Sequence, residues 1–356
     1  MKLGLISLGG PSSKDILKKC KEHFSKTKSI DIREIEVHIT SNGLHITYQG
    51  KPLEHFDCLY VRGSYKYVSL KKSITLAKNH TAYMPLKPLS FVGHDKFLTA
   101  LELQKSKIPI PTTYLAATTI GAKKLLEHVH YPIIMKIPSG TQGRGIMFAD
   151  SITSAKSILD TLEVFKQPYI IQEYIETNAT DLRVLVLGDK VVAAMKRKAQ
   201  PNELRANIHR GGIGINYEVD KEVEEIAIKT AQKIEADICG IDILEGRKPV
   251  VVETNLSPGI QGLAKATKKD IALEIAKFLK EQTNNFFKEQ KETDYKKIIK
   301  GLEAEKSNEI KEMITNIKVK AGIIKLPEVI NKVTSFKDDQ EVIFIAKKGK
   351  LIIKEH

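Results

Sequence analysis

Residues 239–255 read CGIDILEGRKPVVVETN. Two apolar runs, 239–244 and 249–254, have strand length, and Glu245-Gly246-Arg247-Lys248 joins them as a turn. Glu253 and Asn255 are two apart, so on a strand they share a face. The hairpin brings the strand of Asp242 alongside, and three oxygen ligands converge on a small volume. Hard oxygen donors with few carboxylates suit magnesium that also holds nucleotide phosphates. The plainer alternative is one buried acid beside polar strand-end residues. It has to explain Asp242 inside an apolar run, where an unpaired carboxylate is costly.

Upstream of this hairpin the pattern is mixed helix and strand. Residues 95–106 (DKFLTALELQKS) predict a helix that Pro109 and Pro111 stop, and 132–137 (PIIMKI) a strand. A glycine-rich loop follows at 139–145 (SGTQGRG), then a short strand and a helix over 151–163. Strands are expected at 168–174, 181–187 and 190–196, a long helix over 220–237, and a closing helix over 267–283. The N-terminal part reads as a strand at 2–8, a helix to about 24, a strand around 31–38, a hairpin around 43–50 and a strand at 57–61. That order predicts a small α/β domain ending near 92.

Several of these segments carry chemistry. Lys136 lies between Met135 and Ile137 on an apolar strand and needs an anionic partner, which a nucleotide phosphate would supply. The loop after it, with Gly143 and Gly145, lets backbone N–H groups approach phosphate, or simply makes a hairpin. It matches neither the P-loop nor the Rossmann fingerprint, because its glycines are spaced G-x-x-G-x-G. Gln172, Glu173 and Tyr174 end a strand that can present groups to an adenine edge and a ribose hydroxyl, or is an ordinary strand terminus. Asp181 and Arg183 alternate with apolar residues and could pair with each other. Arg205, Asn207 and Arg210 lie in a cationic loop ending in Gly211-Gly212, which suits a phosphoryl group in transfer or is a solvated basic loop. No nucleophile–base arrangement stands out, which favours a reaction needing phosphate stabilisation and positioning.

Composition narrows the class further. At 356 residues the chain has room for two or three domains, and 42% hydrophobic residues can build cores. No run of 18 apolar residues exists, so no membrane-spanning helix is expected. The opening MKLGLISLGG is too short an apolar run for a signal peptide and reads as a strand. Cys20, Cys58 and Cys239 lie far apart, which disfavours a zinc site or a disulfide framework and fits a reducing cytoplasm. The net charge of +14 invites nucleic acid, but it is spread along the chain and carried by 49 Lys against 8 Arg. The compact patch over 195–212, which includes Arg197, fits a polyphosphate or an acidic substrate better.

Taken in order, Asp95-Lys96, PIIMK with SGTQGRG, QEYIE at 172–176, DLRVLVLGDKVVAAMKR at 181–197, RANIHRGG at 205–212, GIDIL and VVETNLSPGIQG resemble the ATP-grasp superfamily. Within it they resemble the RimK-type ligases that add glutamate to a carboxylate. The likeness covers about 95–285, and residues 83–92 (YMPLKPLSFV) depart from the family's Asn-Pro-rich stretch. It implies an N-terminal α/β domain over 1–92, then a two-lobed ATP-grasp domain over 93–285. It implies ATP with magnesium, or manganese in its place. Lys96 and Lys136 would bind its phosphates, and Glu173 and Tyr174 the adenosine, with Gln172 beside them and Asp181 on the polar side. Asp242, Glu253 and Asn255 would bind the metal, and Arg205, Asn207 and Arg210 would face the terminal phosphate and the acyl phosphate. Arg183 and Arg197 are further participants. The implied partners are an amino acid, glutamate foremost, and a carboxylate-bearing acceptor, either a protein or a small molecule.

Residues 288–312 hold seven Lys and seven acidic residues and read as a solvated helix or linker. The remainder, 313–356, changes to β-rich segments with Gly322 and Gly349 at turns, and is similar to AbrB-like swapped-hairpin modules. Some forty residues bury too little apolar surface alone, so a homo-oligomer, dimer or tetramer, is expected. The alternative that this likeness raises is a nucleotide-sensing regulator whose tail binds DNA.

Overall fold

The computed structural model describes residues 1–78, 80–138, 145–166, 168–200, 212–304, 318–320, 323–325, 337, 340–347 and 350–355. Two compact units divide the chain, Met1–Thr283 and Asn284–His356.

In the first unit the opening apolar run makes β1 (Lys2–Ser7), buried but for Lys2. Gly9 takes a φ of +74°, which side-chain-bearing residues avoid, and turns the chain into α1 (Pro11–Cys20) with Pro11 at the first helical position. Next comes β2 (Lys26–Asp31), and here the structure departs from the single strand expected around 31–38. The Asp31 carboxylate accepts the Arg33 N–H at 2.9 Å, winding 32–34 into a tight turn. The chain then leaves for a second sheet, β3 (Ile35–Thr40), β4 (Gly43–Tyr48) and β5 (Lys51–Pro52), all antiparallel. It returns as β6 (Cys58–Val61), giving a parallel sheet of order β2-β1-β6. Helix α2 (Val68–Lys78) covers it, and Ile6, Ile30, Phe56, Leu59 and Ile74 share one core.

The chain then forms α3 (Lys96–Lys105), whose cap Asp95 accepts the N–H groups of Phe97 and Leu98, each at 2.9 Å. After it come β7 (Thr113–Tyr114), α4 (Thr119–Leu125), β8 (Ile133–Lys136), β9 (Ile146–Ala149), α5 (Ile152–Val164) and β10 (Ile170–Glu173). Their strands make an antiparallel sheet of order β7-β10-β8-β9. The glycine-rich loop joins two antiparallel strands, as expected. Residues 139–144, and so Gly143, lie outside the described residues. Gly145 closes the loop at a φ of +75°, its carbonyl accepting the Ile137 N–H at 3.1 Å. A Cβ there would sit 2.8 Å from the Ile137 side chain.

A third sheet follows from β11 (Thr180–Leu187), β12 (Lys190–Lys198) and β13 (Ile213–Asn216), then α6 (Lys221–Lys233), β14 (Ile238–Glu245) and β15 (Pro249–Asn255). Its order is β13-β12-β11-β14-β15, antiparallel throughout. Leu182, Val184, Ile241 and Ile243 belong to the same core as Val223 and Ala227 of α6. Helix α6 ends short of the expected 237, because Glu235 takes a φ of +53° and leaves the helical course. The helix expected from 267 starts later, at Ile271, and a separate short helix outside that expectation precedes it. Lys268, at a φ of +57°, stops α7 (Gln261–Thr267), and α8 (Ile271–Ala304) starts anew with the Asp270 carboxylate on the Leu273 N–H at 3.1 Å.

The second unit takes in the rest of α8 and two antiparallel hairpins, β16 (Lys318–Lys320) with β17 (Ile323–Lys325), and β18 (Val342–Lys347) with β19 (Lys350–Glu355). Gly322 and Gly349 lie outside the described residues. Among the described residues no helix is long and apolar enough to cross a membrane.

Candidate active site

Alternation along the third sheet sorts its side chains. Even-numbered residues of β11 and odd-numbered residues of β14 enter the core with α6. The opposite parity turns Asp181, Arg183 and Asp242 to the other face. Register then decides the partners. Asp181 stands opposite Arg197, and Arg183 opposite Asp242, which stands opposite Glu253 in turn.

Asp181 and Arg183 therefore do not pair with each other. The Arg197 guanidinium grips Asp181 through Nε at 2.5 Å and Nη2 at 2.9 Å, and reaches Asp242 Oδ2 at 3.1 Å. Arg183 holds Asp242 in a fork, its Nε on Oδ1 and its Nη2 on Oδ2 at 2.7 Å. Two acids and two guanidiniums form a balanced network whose side chains are at most 18% exposed. Burial would push Asp242 up, but Arg183 and Arg197 outweigh it and hold the carboxyl below its ordinary value. For Asp181 burial wins over the pull of Arg197, and its value is raised.

Metal binding can be tested on this donor set. Asn255 Nδ2 donates to Asp242 Oδ2 at 3.4 Å, which leaves the amide oxygen as the atom for an external cation. Oδ2 is crowded by three donors, whereas among the described residues Oδ1 takes only Arg183 Nε and keeps a lone pair. Glu253 meets Lys96 at 3.9 Å and otherwise faces a cleft. Among the described residues no three His, Cys, Asp or Glu side chains gather as a metal cage. The set is thus two carboxylates and one amide, which fits a hard cation sharing its shell with phosphate oxygens rather than an all-protein site.

Lys136, at the end of β8, donates to Gln172 Oε1, and Gln172 Nε2 donates in turn to Thr113 Oγ1 at 2.8 Å. Its hydrogen-bond partner is a neutral amide. Burial pushes Lys136 down to about 8, the Glu253 carboxylate opposing and Lys96 reinforcing that shift. Two lysines and one acid in mutual electrostatic reach leave positive charge to spare for an anionic ligand. Glu173 sits exposed beyond Gln172, its carboxylate accepting the Thr112 N–H at 3.2 Å. Tyr174 meets Phe148 edge-on, with centroids 5.2 Å apart. Arg205, Asn207 and Arg210 lie outside the described residues.

A cleft of about 400 Å³ opens beside Glu253 and Asn255, bounded on its other side by the C-terminal ends of β1 and β6. Arg62, Ser64, His94 and Lys96 line it. Arg62 and His94 escaped the sequence reading. The available signal was a charged residue placed directly after an apolar parallel strand, CLYV-Arg62.

An antiparallel sheet with a half-buried lysine lies within electrostatic reach of a second sheet bearing Asp242, Glu253 and Asn255 on one face, and the comparisons place this arrangement among ATP-grasp ligases. A family model described as a RimK-like ATP-grasp domain matches residues 93–279, and the chain belongs to that family. Among its relatives is a "Probable alpha-L-glutamate ligase" of Vibrio cholerae, 32% identical over 286 residues, 78% of this chain and 95% of that protein. A protein of the same name from Cellvibrio japonicus is 32% identical over 299 residues, covering 79% and 96%. Of solved structures, the ATP-grasp ligase PsnB complexed with minimal precursor, Mg and ADP superposes with a TM-score of 0.61 at 15% identity, over 80% of this chain and 98% of that one. A RimK-domain ATP-grasp protein from Sphaerobacter thermophilus gives 0.61 at 14% identity, over 78% and 99%. At such identities the structures speak for the fold.

Proposed function

We propose that the protein is an ATP-dependent carboxylate–amine ligase that joins L-glutamate to a carboxylate acceptor through an acyl phosphate. The observation carrying this reading is the convergence of Lys96, Lys136, Glu253 and Asn255, in a chain whose curated relatives, matched over nearly their whole length, bear the name of alpha-L-glutamate ligases. The names of these relatives lend nothing to a DNA-binding regulator.

In the first step an acceptor carboxylate oxygen bonds to the γ-phosphorus as the bond to ADP breaks. In the second the amine nitrogen bonds to the acyl carbon, phosphate leaves and the nitrogen gives up a proton. The acceptor brings its own nucleophile, so the protein's work is positioning and charge stabilisation. Lys96 and Lys136 hold the phosphates, with backbone N–H groups near Gly143 and Gly145. Gln172 keeps Lys136 in place. Glu173 and Tyr174 take the adenosine. Glu253, Asn255 and Oδ1 of Asp242 are the donors for magnesium, or manganese in its stead, which when bound neutralises phosphate charge. Arg183 and Arg197 orient Asp242, Arg197 while also gripping Asp181, and Arg183, Arg197 and Asp181 belong to the nucleotide side of the site. Arg205, Asn207 and Arg210 face the phosphoryl group in transfer.

The test is incubation with ATP, magnesium, a panel of amino acids and cell extract, followed by mass spectrometry for an acceptor one residue heavier. ADP and phosphate released only with glutamate and an acceptor are expected. Release independent of both sinks the reading. Arg205→Ala is expected to cut turnover far more than ATP affinity, because its role belongs to the transition state.

A further inference from the structure

Two buried basic groups, Arg62 in the cleft wall and Lys71 behind His94, have no acid to neutralise them among the described residues. Arg62, 4% exposed, donates Nη1 to the Tyr60 hydroxyl at 3.0 Å and Nη2 to the Pro258 carbonyl at 2.8 Å. Both partners are neutral, and three of its five N–H groups remain. Lys71, fully buried on α2, donates to the Gly63 carbonyl at 3.0 Å and lies 2.6 Å from His94 Nε2. Its ammonium also lies 5.6 Å from the centre of the Phe91 ring. Neither cation has a carboxylate in reach among the described residues. Burial pushes Lys71 down to about 7, so its ammonium is only marginally held in the free protein and an arriving anion favours it; with the Arg62 guanidinium in the cleft wall, which no carboxylate balances among the described residues, this suits an anion that arrives from outside.

The surroundings sharpen the ligand. Burial pushes His94 down to about 3, with Lys71 and Lys96 adding to the shift, so the ring is neutral. When the Lys71 ammonium donates to Nε2, the ring hydrogen sits on Nδ1 and His94 is a donor in turn. Among the described residues lining the cleft, Glu253 is the sole acid. The walls are also fastened to each other. The Gly63 N–H donates to Ser257 Oγ at 2.9 Å, and Ser12 Oγ both donates to Gln261 at 2.6 Å and accepts the Ile260 N–H at 3.1 Å. These bonds tie the ends of β1 and β6 to the segment that follows Glu253 and Asn255, so the cationic wall is preorganised against the reacting end.

We propose that Arg62 and the Lys71–His94 pair form a carboxylate-recognition site that selects an acidic, glutamyl substrate and holds its side-chain carboxylate while the other end reacts. This deepens the ligase reading and rests on it for the identity of the substrate. The carboxylate can belong to the incoming glutamate or to a glutamyl acceptor, and the measurements separate the two.

The experiment is calorimetric titration of the full chain, loaded with magnesium and a non-hydrolysable ATP analogue. The probes are L-glutamate, L-glutamine, an α-linked Glu–Glu dipeptide and that dipeptide's side-chain diamide. Loss of one charge-assisted bidentate contact is expected to cost at least about tenfold, so the wild type prefers glutamate to glutamine, or the dipeptide to its diamide, by that ratio. Arg62→Gln is expected to abolish the preference while the affinity for the analogue stays within twofold. The probe that loses affinity identifies the source of the carboxylate. Lys71→Met, which keeps the buried volume, and His94→Gln are expected to weaken the same probe, and they decide the matter if Arg62→Gln does not fold. A wild type that does not discriminate acid from amide, or folded variants that keep the full preference, overturns the site. Amide formation by the wild type is scored separately. Its failure beside Arg62-dependent acid binding overturns the ligase reading and leaves the site standing.

Discussion

In the proposed function the charge state of Lys136 governs nucleotide binding. Its value in the free protein, about 8, lies well below the ordinary lysine value because burial disfavours the ammonium. A bound phosphate favours the ammonium and raises it again. Below about pH 8 the lysine is already charged and affinity is flat. Above it, binding must take up a proton, so affinity for an ATP analogue falls by up to about tenfold per pH unit. Titrations from pH 6.5 to 9.5 read this slope directly, and Lys136→Met is expected to weaken binding and erase it. Glu253 and Asp242 offer a second contrast. Glu253→Gln is expected to remove metal-supported turnover by about a hundredfold or more while the melting temperature holds, since this carboxylate meets Lys96 only at 3.9 Å. Asp242→Asn leaves the buried Arg183 guanidinium without its acid and takes one of two acids from Arg197, and is expected to cost about 3–5 kcal/mol of stability, read by denaturant unfolding.

At the scale of elements, α3 joins local capping to the site. The Asp95 carboxylate takes two N–H groups at the helix start and so sets where Lys96 emerges opposite Glu253. Asp95→Ala is expected to lower stability by about 1 kcal/mol, the usual worth of such a cap, and to raise KM for ATP several-fold. A loss of stability with KM unchanged means that Lys96 finds its place without the cap. The β14–β15 pair works by register. A bulge beyond Asp242 keeps Glu253 opposite it, and Asn255 falls two residues on, so all three share a face. The spacing of Asp242, Glu253 and Asn255 and their hairpin were legible in the sequence, because alternation and turn composition are properties of near neighbours. Helix α2 was not, since its buried face carries a lysine, Lys71, where periodicity asks for an apolar residue.

For the molecule as a whole, the second unit raises a question of association. Successive residues of β18 point to opposite faces of the hairpin, yet Ile343, Phe344 and Ile345 are all exposed, as is Leu351 of β19. A two-stranded hairpin with both faces uncovered is marginal by itself, and a second copy of the chain is the natural cover. Phe344→Lys in the full chain is expected to reduce the mass measured by light scattering to that of one chain. A wild type that is already monomeric ends this idea.

Most strands and helices of residues 93–283, the glycine-closed loop at Gly145 and the placing of Asp242, Glu253 and Asn255 on one strand pair follow from the sequence by itself, since each depends on residues within about a dozen positions. Only the tertiary structure decided the pairing of charges. Asp181 and Arg183 look like partners two apart, but antiparallel register delivers Arg197 to the first and Asp242 to the second. The cleft was hidden for the same reason. Arg62 meets Pro258, Lys71 meets His94 and Lys96 meets Glu253 across separations that no local pattern encodes, and the packing of one sheet's strand ends against the other brings them together.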